Sequence, residues 1–332
     1  KTNIFKPSFL HFSKMIDKEN MLSEIEKFPS RCEEALRIAK KVRFKLKGKI
    51  NKVFICGVGT SYAVAKIVSS LQRSVPIVPV RGFNLPTIAD KNSLIVILTY
   101  SALTKPALLL YKEAKRKKLQ IILITSDEKL AEKEKNSILL PGGVLPRLSF
   151  PLLFISTVYV LQRFKFIPGQ PIKEGMSLLD QRYCSKEGFM ISKKLKGKIP
   201  LIYASNKLFG LAYRLKTMIN QNAKQGAFAN TLPDALHNEI EGLRKNPNRY
   251  VVAVIYDKDY SQNLKKAINA LHSILKKKVD VVHIDMKGKS SFGKILRTVY
   301  VCDYISYYLA LMNKIDPTPT KLTKEAIEFL SK

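Results

Sequence analysis

Cysteine is scarce: Cys32, Cys56, Cys184 and Cys302 are the only four among 332 residues. They lie far apart and make no Cys-x-x-Cys pair, which argues against a disulfide framework or a zinc module. Reduced thiols in a cytoplasmic protein are expected instead. His11, His237, His272 and His283 are equally scattered, so spacing predicts no metal site. The 15 glycines and 16 prolines are too few for a collagen-like or low-complexity polymer. Long apolar runs are missing too. The longest, residues 150–161, is interrupted by Ser156, Thr157 and Tyr159 and falls short of the ~20 residues that span a bilayer. It reads as a buried helix, and no membrane partner is expected. The opening Lys1-Thr2-Asn3 carries no apolar signal segment, so secretion is not expected.

Acidic residues are the other shortage. Against 58 Lys and Arg stand 26 Asp and Glu, a net charge of +32, while 46% hydrophobic content marks a folded globular chain. Such a field attracts polyanions and phosphorylated metabolites alike. The basic residues are spread over 40–49, 112–118, 193–198 and 276–278, with no Arg-rich arm, zinc-finger spacing or RNA-recognition signature. A solvated lysine-rich surface is the plain reading. A nucleic-acid partner is the sharper one, which the charge leaves open.

The first ~50 residues are helical in pattern, through Met21, Leu22, Ile25, Phe28, Ala35, Leu36, Ile38 and Ala39. Strands are then predicted at 52–56, 75–80, 93–100 and 121–125, with helices through 63–68 and 104–117 between them. Pro168-Gly169-Gln170-Pro171 breaks the series. The alternation restarts with strands at 201–204, 250–256 and 279–284 and helices at 208–220, 263–275 and 291–312. Continuous β-branched runs between helices indicate strands buried on both faces. The expected fold class is therefore α/β: a helical segment at 1–48, then two tandem three-layer sandwiches with mostly parallel sheets, at 49–166 and 167–332. Ligands of such sheets sit beyond the carboxyl ends of strands, where strand order switches direction.

Two turns occupy such places. Cys56-Gly57-Val58-Gly59-Thr60-Ser61-Tyr62 follows the first strand and opens a helix. Its glycines allow close backbone approach to an anion at a helix N-terminus. A third glycine for a dinucleotide fingerprint is missing, and so is the Gly-Lys-Ser/Thr of a P-loop. Leu98-Thr99-Tyr100-Ser101-Ala102-Leu103-Thr104 ends a later strand and places hydroxyls from Thr99, Ser101 and Thr104 on one turn. Thr104 as a helix cap and Ser101 as a turn residue are the structural alternatives. Two hydroxyl-rich turns at equivalent strand ends favour a phosphate.

These turns resemble the sugar isomerase (SIS) domain. The second half resembles the archaeal-type bifunctional phosphoglucose/phosphomannose isomerases more specifically. The likeness runs through Tyr213-Arg214-Leu215-Lys216, Ile219-Asn220-Gln221-Asn222-Ala223-Lys224, Ala227-Phe228-Ala229-Asn230, Pro233 and His237-Asn238-Glu239-Ile240-Glu241-Gly242. Leu145-Pro146-Arg147 and Asp316-Pro317-Thr318-Pro319 fit the same family. The resemblance implies two SIS-like sandwiches, a homodimer, no metal or organic cofactor, and interconversion of glucose 6-phosphate with fructose 6-phosphate, and also mannose 6-phosphate. It further implies that Thr60, Ser61, Thr99, Ser101 and Thr104 hold the phosphate and that Arg147 steadies the enediolate. His237 would assist ring opening, in the family from the partner subunit.

The chain departs from the family at selected points. The family's proton-transfer glutamate is replaced by Gln221, and an amide cannot accept the proton that moves between C1 and C2. The family's C-terminal lysine falls on Ile327, with Lys324 one turn away. Its Ser-Gly-Asn in the second turn is Ser101-Ala102-Leu103, and Thr60 replaces a glycine. Weakened isomerase activity, a shift of the base to Glu239 or Glu241, and a non-catalytic phosphosugar binder all follow as expectations.

Overall fold

The β-branched runs become the strands of two sheets in a computed structural model that describes residues 15–72 and 75–331. His11 and the opening Lys1-Thr2-Asn3 lie outside the described residues. The first sheet comprises β1 (Lys52–Cys56), β2 (Ile77–Val80), β3 (Ser93–Thr99), β4 (Gln120–Thr125) and β5 (Ser137–Leu139), ordered β2-β1-β3-β4-β5. The second comprises β6 (Ile199–Ser205), β7 (Phe228–Leu232), β8 (Tyr250–Tyr256) and β9 (Asp280–Asp285), ordered β7-β6-β8-β9. Every pairing in both is parallel. The α/β class expected from the runs is what forms.

Burial on both faces explains the uninterrupted hydrophobicity: every residue of β3 is buried. On one face of the first sheet, Phe54, Ile95, Ile97 and Leu123 pack with Leu110 and Ala114 of helix Lys105–Arg116. Helix Phe150–Arg163 is the expected buried helix; it packs on β4, on helix Thr60–Ser69 and on helix Phe28–Lys41. The Phe150 ring lies 5.2 Å from Phe154 and 6.5 Å from Phe28. In the second sheet, Tyr203, Val252 and Val254 pack with Ile268 and Leu271 of helix Gln262–Leu275. Helix Ser291–Met312 is buried almost throughout and packs closely on helix Gln181–Leu195. Gly188 permits that approach, because a Cβ there would sit 2.5 Å from the Tyr304 Cβ.

The chain divides into two compact units at Pro171. Among described residues, one contains 27–170 and 320–331, and the other 15–26 and 171–319. No described helix is long and apolar enough to cross a membrane.

Several elements differ from the sequence expectation. Helix formation stops at Lys41, and residues 42–51 are not helical. The β5 and β7 strands and the helix Gln181–Leu195 carry weak signals: β7 buries only Leu232, as befits an edge strand. The four histidines looked scattered, yet His272 and His283 meet with their Nε2 atoms 2.7 Å apart.

Candidate active site

Because β1 lies between β2 and β3, the strand order reverses at β1, and the crevice opens beyond the carboxyl ends of β1 and β3. The two hydroxyl-rich turns leave these two adjacent strands, which are in register with Cys56 beside Ile97. Gly57 brings them together: a Cβ on it would meet the Leu98 carbonyl oxygen at 3.0 Å. Gly59, at φ +57, then starts helix Thr60–Ser69, so Thr60 and Ser61 stand in its first turn, with Ser61 buried.

Thr99 ends β3 with its side chain 2% exposed, and its Oγ1 has no hydrogen-bond partner. An unpaired buried hydroxyl costs about 1–3 kcal/mol, a cost that a bound acceptor removes. Thr104 occupies the N-cap of helix Lys105–Arg116, yet its side chain makes no cap hydrogen bond. The capping alternative therefore does not account for this hydroxyl. Ser101 is half-buried, and Ala102 adopts φ +51, the left-handed region that favours the glycine of the family pattern.

Tyr100 is a residue whose role the sequence did not disclose. Its hydroxyl donates to the Pro141 carbonyl at 2.7 Å and accepts from the Val144 N–H at 3.0 Å. Its own carbonyl accepts the Ser126 hydroxyl at 2.6 Å. The second turn is thus braced against the segment leading to Arg147. Arg147 itself is 7% exposed, on a turn (Pro146–Leu148) that packs against helix Thr60–Ser69. Thr60, Ser61, Thr99, Ser101, Thr104 and Arg147 all belong to one unit. An open cavity of about 640 Å³ borders the brace, lined by Ser126, Asp127, Leu139 and Pro141 among others.

Gln221 and His237 belong to the other unit. Gln221 is half-buried on a π-helical turn, Ile219–Ala223, a wide form that often marks functional positions. The turn is held from both ends. Asn222 Nδ2 donates to Ser306 Oγ at 2.9 Å. Beneath it, Arg214 pairs with Asp303 at 2.7 Å, both fully buried. Lys224 Nζ donates to the Asp316 and Pro317 carbonyls, each at 2.8 Å. His237 is exposed at the end of a short 3-10 turn, Asp234–His237.

The alternative bases are both engaged. Glu239 accepts the Tyr203 hydroxyl and the Asn230 amide, each at 2.7 Å. Glu241 is exposed and lies 3.4 Å from Arg244. Lys324 and Ile327 sit on the exposed helix Lys321–Ser331. The second sheet also reverses, beyond β6 and β8, but its switch point holds Lys294 buried between Asp257, at 2.6 Å, and Asp259. That lysine is occupied in neutralising both carboxylates.

Among described residues, no three His, Cys or carboxylate side chains gather as metal ligands.

Residues 186–328 match the family described as the bacterial phospho-glucose isomerase C-terminal SIS domain. The chain is 26% identical over 299 residues to a bifunctional phosphoglucose/phosphomannose isomerase of Thermoplasma volcanium, covering 88% of this chain and 97% of the relative. It is 29% identical over 233 residues to a D-glucosamine-6-phosphate 4-epimerase of Sulfolobus acidocaldarius, covering 66% and 73%. The C-terminal domain of a glucosamine-fructose-6-phosphate aminotransferase from Francisella tularensis shares the fold, with TM-score 0.69 at 16% identity and coverage of 90% and 97%. Fold and turns together define an SIS-domain protein. Within that class, the chain is similar over most of its length to the bifunctional phosphoglucose/phosphomannose isomerases.

Proposed function

We propose that this protein binds hexose 6-phosphates and interconverts their aldose and ketose forms, with turnover weakened by Gln221. The observation that carries the reading is the Thr99 hydroxyl, buried and unpartnered at the strand-order switch, beside the Gly57–Ser61 turn. A phosphate there accepts from Ser61, Thr99, Ser101 and Thr104 and from the N–H groups that open the two helices. Thr60 stands beside Ser61 in the same first turn.

Isomerisation then needs the ring opened, a proton moved between C2 and C1, and the enediolate charge balanced. Arg147 supplies a fixed cation for that charge. His237 assists ring opening. Its exposure suits a homodimer in which it faces the partner subunit's sugar, as the family resemblance implies. Gln221 keeps the size and hydrogen bonding of glutamate without its proton affinity, and a positioned base is worth ~10²–10⁴-fold. Binding therefore survives while chemistry slows. No cofactor enters this scheme. The four thiols are free and buried, which fits the reducing cytoplasm.

A non-catalytic phosphosugar-binding or regulatory protein is the second reading, favoured by Gln221. Calorimetry with glucose 6-phosphate, fructose 6-phosphate, mannose 6-phosphate and glucosamine 6-phosphate tests the shared part. Thr99→Val and Ser101→Ala should each weaken binding ~10-fold, the loss of a hydrogen bond to a charged acceptor. Equal affinity in wild type and both variants would remove this turn as the anchor. A coupled assay from fructose 6-phosphate then separates slow isomerase from binder.

A further inference from the structure

Residues 42–47 cross the amino ends of β4 and β5 as an extended strap. Lys45 exchanges both backbone hydrogen bonds with the side-chain amide of Asn136, at 3.0 and 3.1 Å. Lys47 does the same with the amide of Gln120, at 2.5 and 2.7 Å. Gln120 opens β4 and Asn136 immediately precedes β5. Val42, Phe44 and Leu46 are half-buried, and the Phe44 ring stands edge-on to Phe164 at 6.2 Å. Arg43, Lys45 and Lys47 alternate with them and are exposed. Alternate residues of an extended chain are ~6.6 Å apart, so these cations form a row with a fixed repeat.

The row continues on both sides. Lys49 follows the turn at Gly48, whose φ is +62. Lys118 lies two residues before Gln120 and Lys135 one before Asn136, both exposed. The acidic neighbours are already neutralised by other lysines: Glu113 by Lys117 at 2.8 Å, Glu134 by Lys115 at 3.3 Å. Among the described residues, no carboxylate pairs with Arg43, Lys45, Lys47, Lys49, Lys118 or Lys135.

We propose that this face binds the phosphodiester backbone of single-stranded nucleic acid, at the end of the first sheet opposite its sugar-phosphate turns. Because the sheet is parallel, the amino ends of β4 and β5 and the carboxyl ends of β1 and β3 are opposite edges. A ligand on one edge leaves the other open. A line of cations at an extended repeat follows one strand, and among the described residues the row lies on a non-helical strap rather than on a helix or ribbon suited to a duplex groove. The strap's apolar side chains turn inward, so nothing is left to insert into a bilayer. With no exposed aromatic in the row, binding is to backbone alone and carries no sequence preference.

The test is fluorescence anisotropy with a fluorescein-labelled 20-nucleotide oligo(U) and the full chain, between 50 and 300 mM salt. Six phosphate contacts at ~0.7 each predict a log–log salt slope of about −4. Combined Arg43→Gln, Lys45→Gln, Lys47→Gln and Lys49→Gln should weaken binding at least ~10-fold at 100 mM salt and flatten the slope to about −1, with Tm unchanged. Combined Lys266→Gln, Lys276→Gln, Lys277→Gln and Lys278→Gln removes the same charge from the other unit and should leave affinity within ~2-fold. Equal losses in the two variants would overturn the assignment, since net charge alone would then explain binding. Tighter binding to a 20-base-pair duplex or to phosphatidylserine vesicles would overturn it as well.

Discussion

Tyr203 donates its hydroxyl to Glu239 at 2.7 Å, and the second carboxylate oxygen is taken by Asn230. A glutamate held on both oxygens is engaged with the fold, which disfavours it as the base. Glu239→Gln should therefore leave any residual turnover unchanged in a coupled fructose 6-phosphate assay. Gln221→Glu should raise kcat by ~10-fold or more, towards the upper range for a general base, with little change in hexose-phosphate affinity. Wild type already turning over at an ordinary ~10 s⁻¹, with no gain from Gln221→Glu, would place the base elsewhere.

Gly57 admits no side chain. A Cβ would lie 2.4 Å from Ser61 Cβ and 3.0 Å from the Leu98 carbonyl, and the second contact is backbone that cannot rotate away. Gly57→Ala should cost about 1–3 kcal/mol in denaturant unfolding. It should also push the two turns apart, weakening hexose 6-phosphate binding in the same preparation. A variant of native stability and affinity would contradict the close approach.

Ala102 offers the opposite case. It holds φ +51 in the second turn, where an L side chain is strained. Ala102→Gly should stabilise the protein by about 1 kcal/mol, or raise Tm by ~2–4 °C for a unit of this size. Differential scanning calorimetry reads this directly, and an unchanged or lower Tm would argue that the alanine is not strained.

His283 supplies a pH dependence. Its ring stacks on Tyr256 at 4.9 Å and meets His272 Nε2 to Nε2 at 2.7 Å. Burial first, then the charge of His272, lowers its proton affinity below the ordinary 6.5, and Asp285 opposes the shift only in part. The unfolded chain then binds the proton more readily than the folded one. The stability from this group is present above about pH 6.5 and falls as pH drops towards the lowered folded value. Unfolding midpoints in urea between pH 7.5 and 5 should show that decline, and His283→Phe should flatten it. Identical slopes in both proteins would mean other groups govern acid sensitivity.

The parallel α/β class was legible because strands buried on both faces must be apolar throughout, a pattern read without coordinates. The runs at 52–56, 93–100 and 250–256 became β1, β3 and β8. The strands β5 and β7 were not, since each buries a single residue, Ile138 or Leu232, and leaves only a mixed pattern, unlike the edge strands β2 and β9. The candidate phosphate turns were legible through glycine and hydroxyl spacing after strands, because backbone approach to an anion demands those residue types locally.

Local chemistry follows from the amino-acid order alone: hydroxyls after strands, an amide at position 221, a large excess of positive charge. Tertiary structure decided which groups are free to act. Strand order set the turns after β1 and β3 side by side, left the Thr99 hydroxyl without a partner and bound Glu239 to Tyr203 and Asn230. It also set His272 against His283 and pinned a row of cations across the amino ends of β4 and β5. The reason is range: turn and strand propensities act over a few residues, whereas hydrogen-bond partners and burial come from segments tens of residues apart, which only the packed chain brings together.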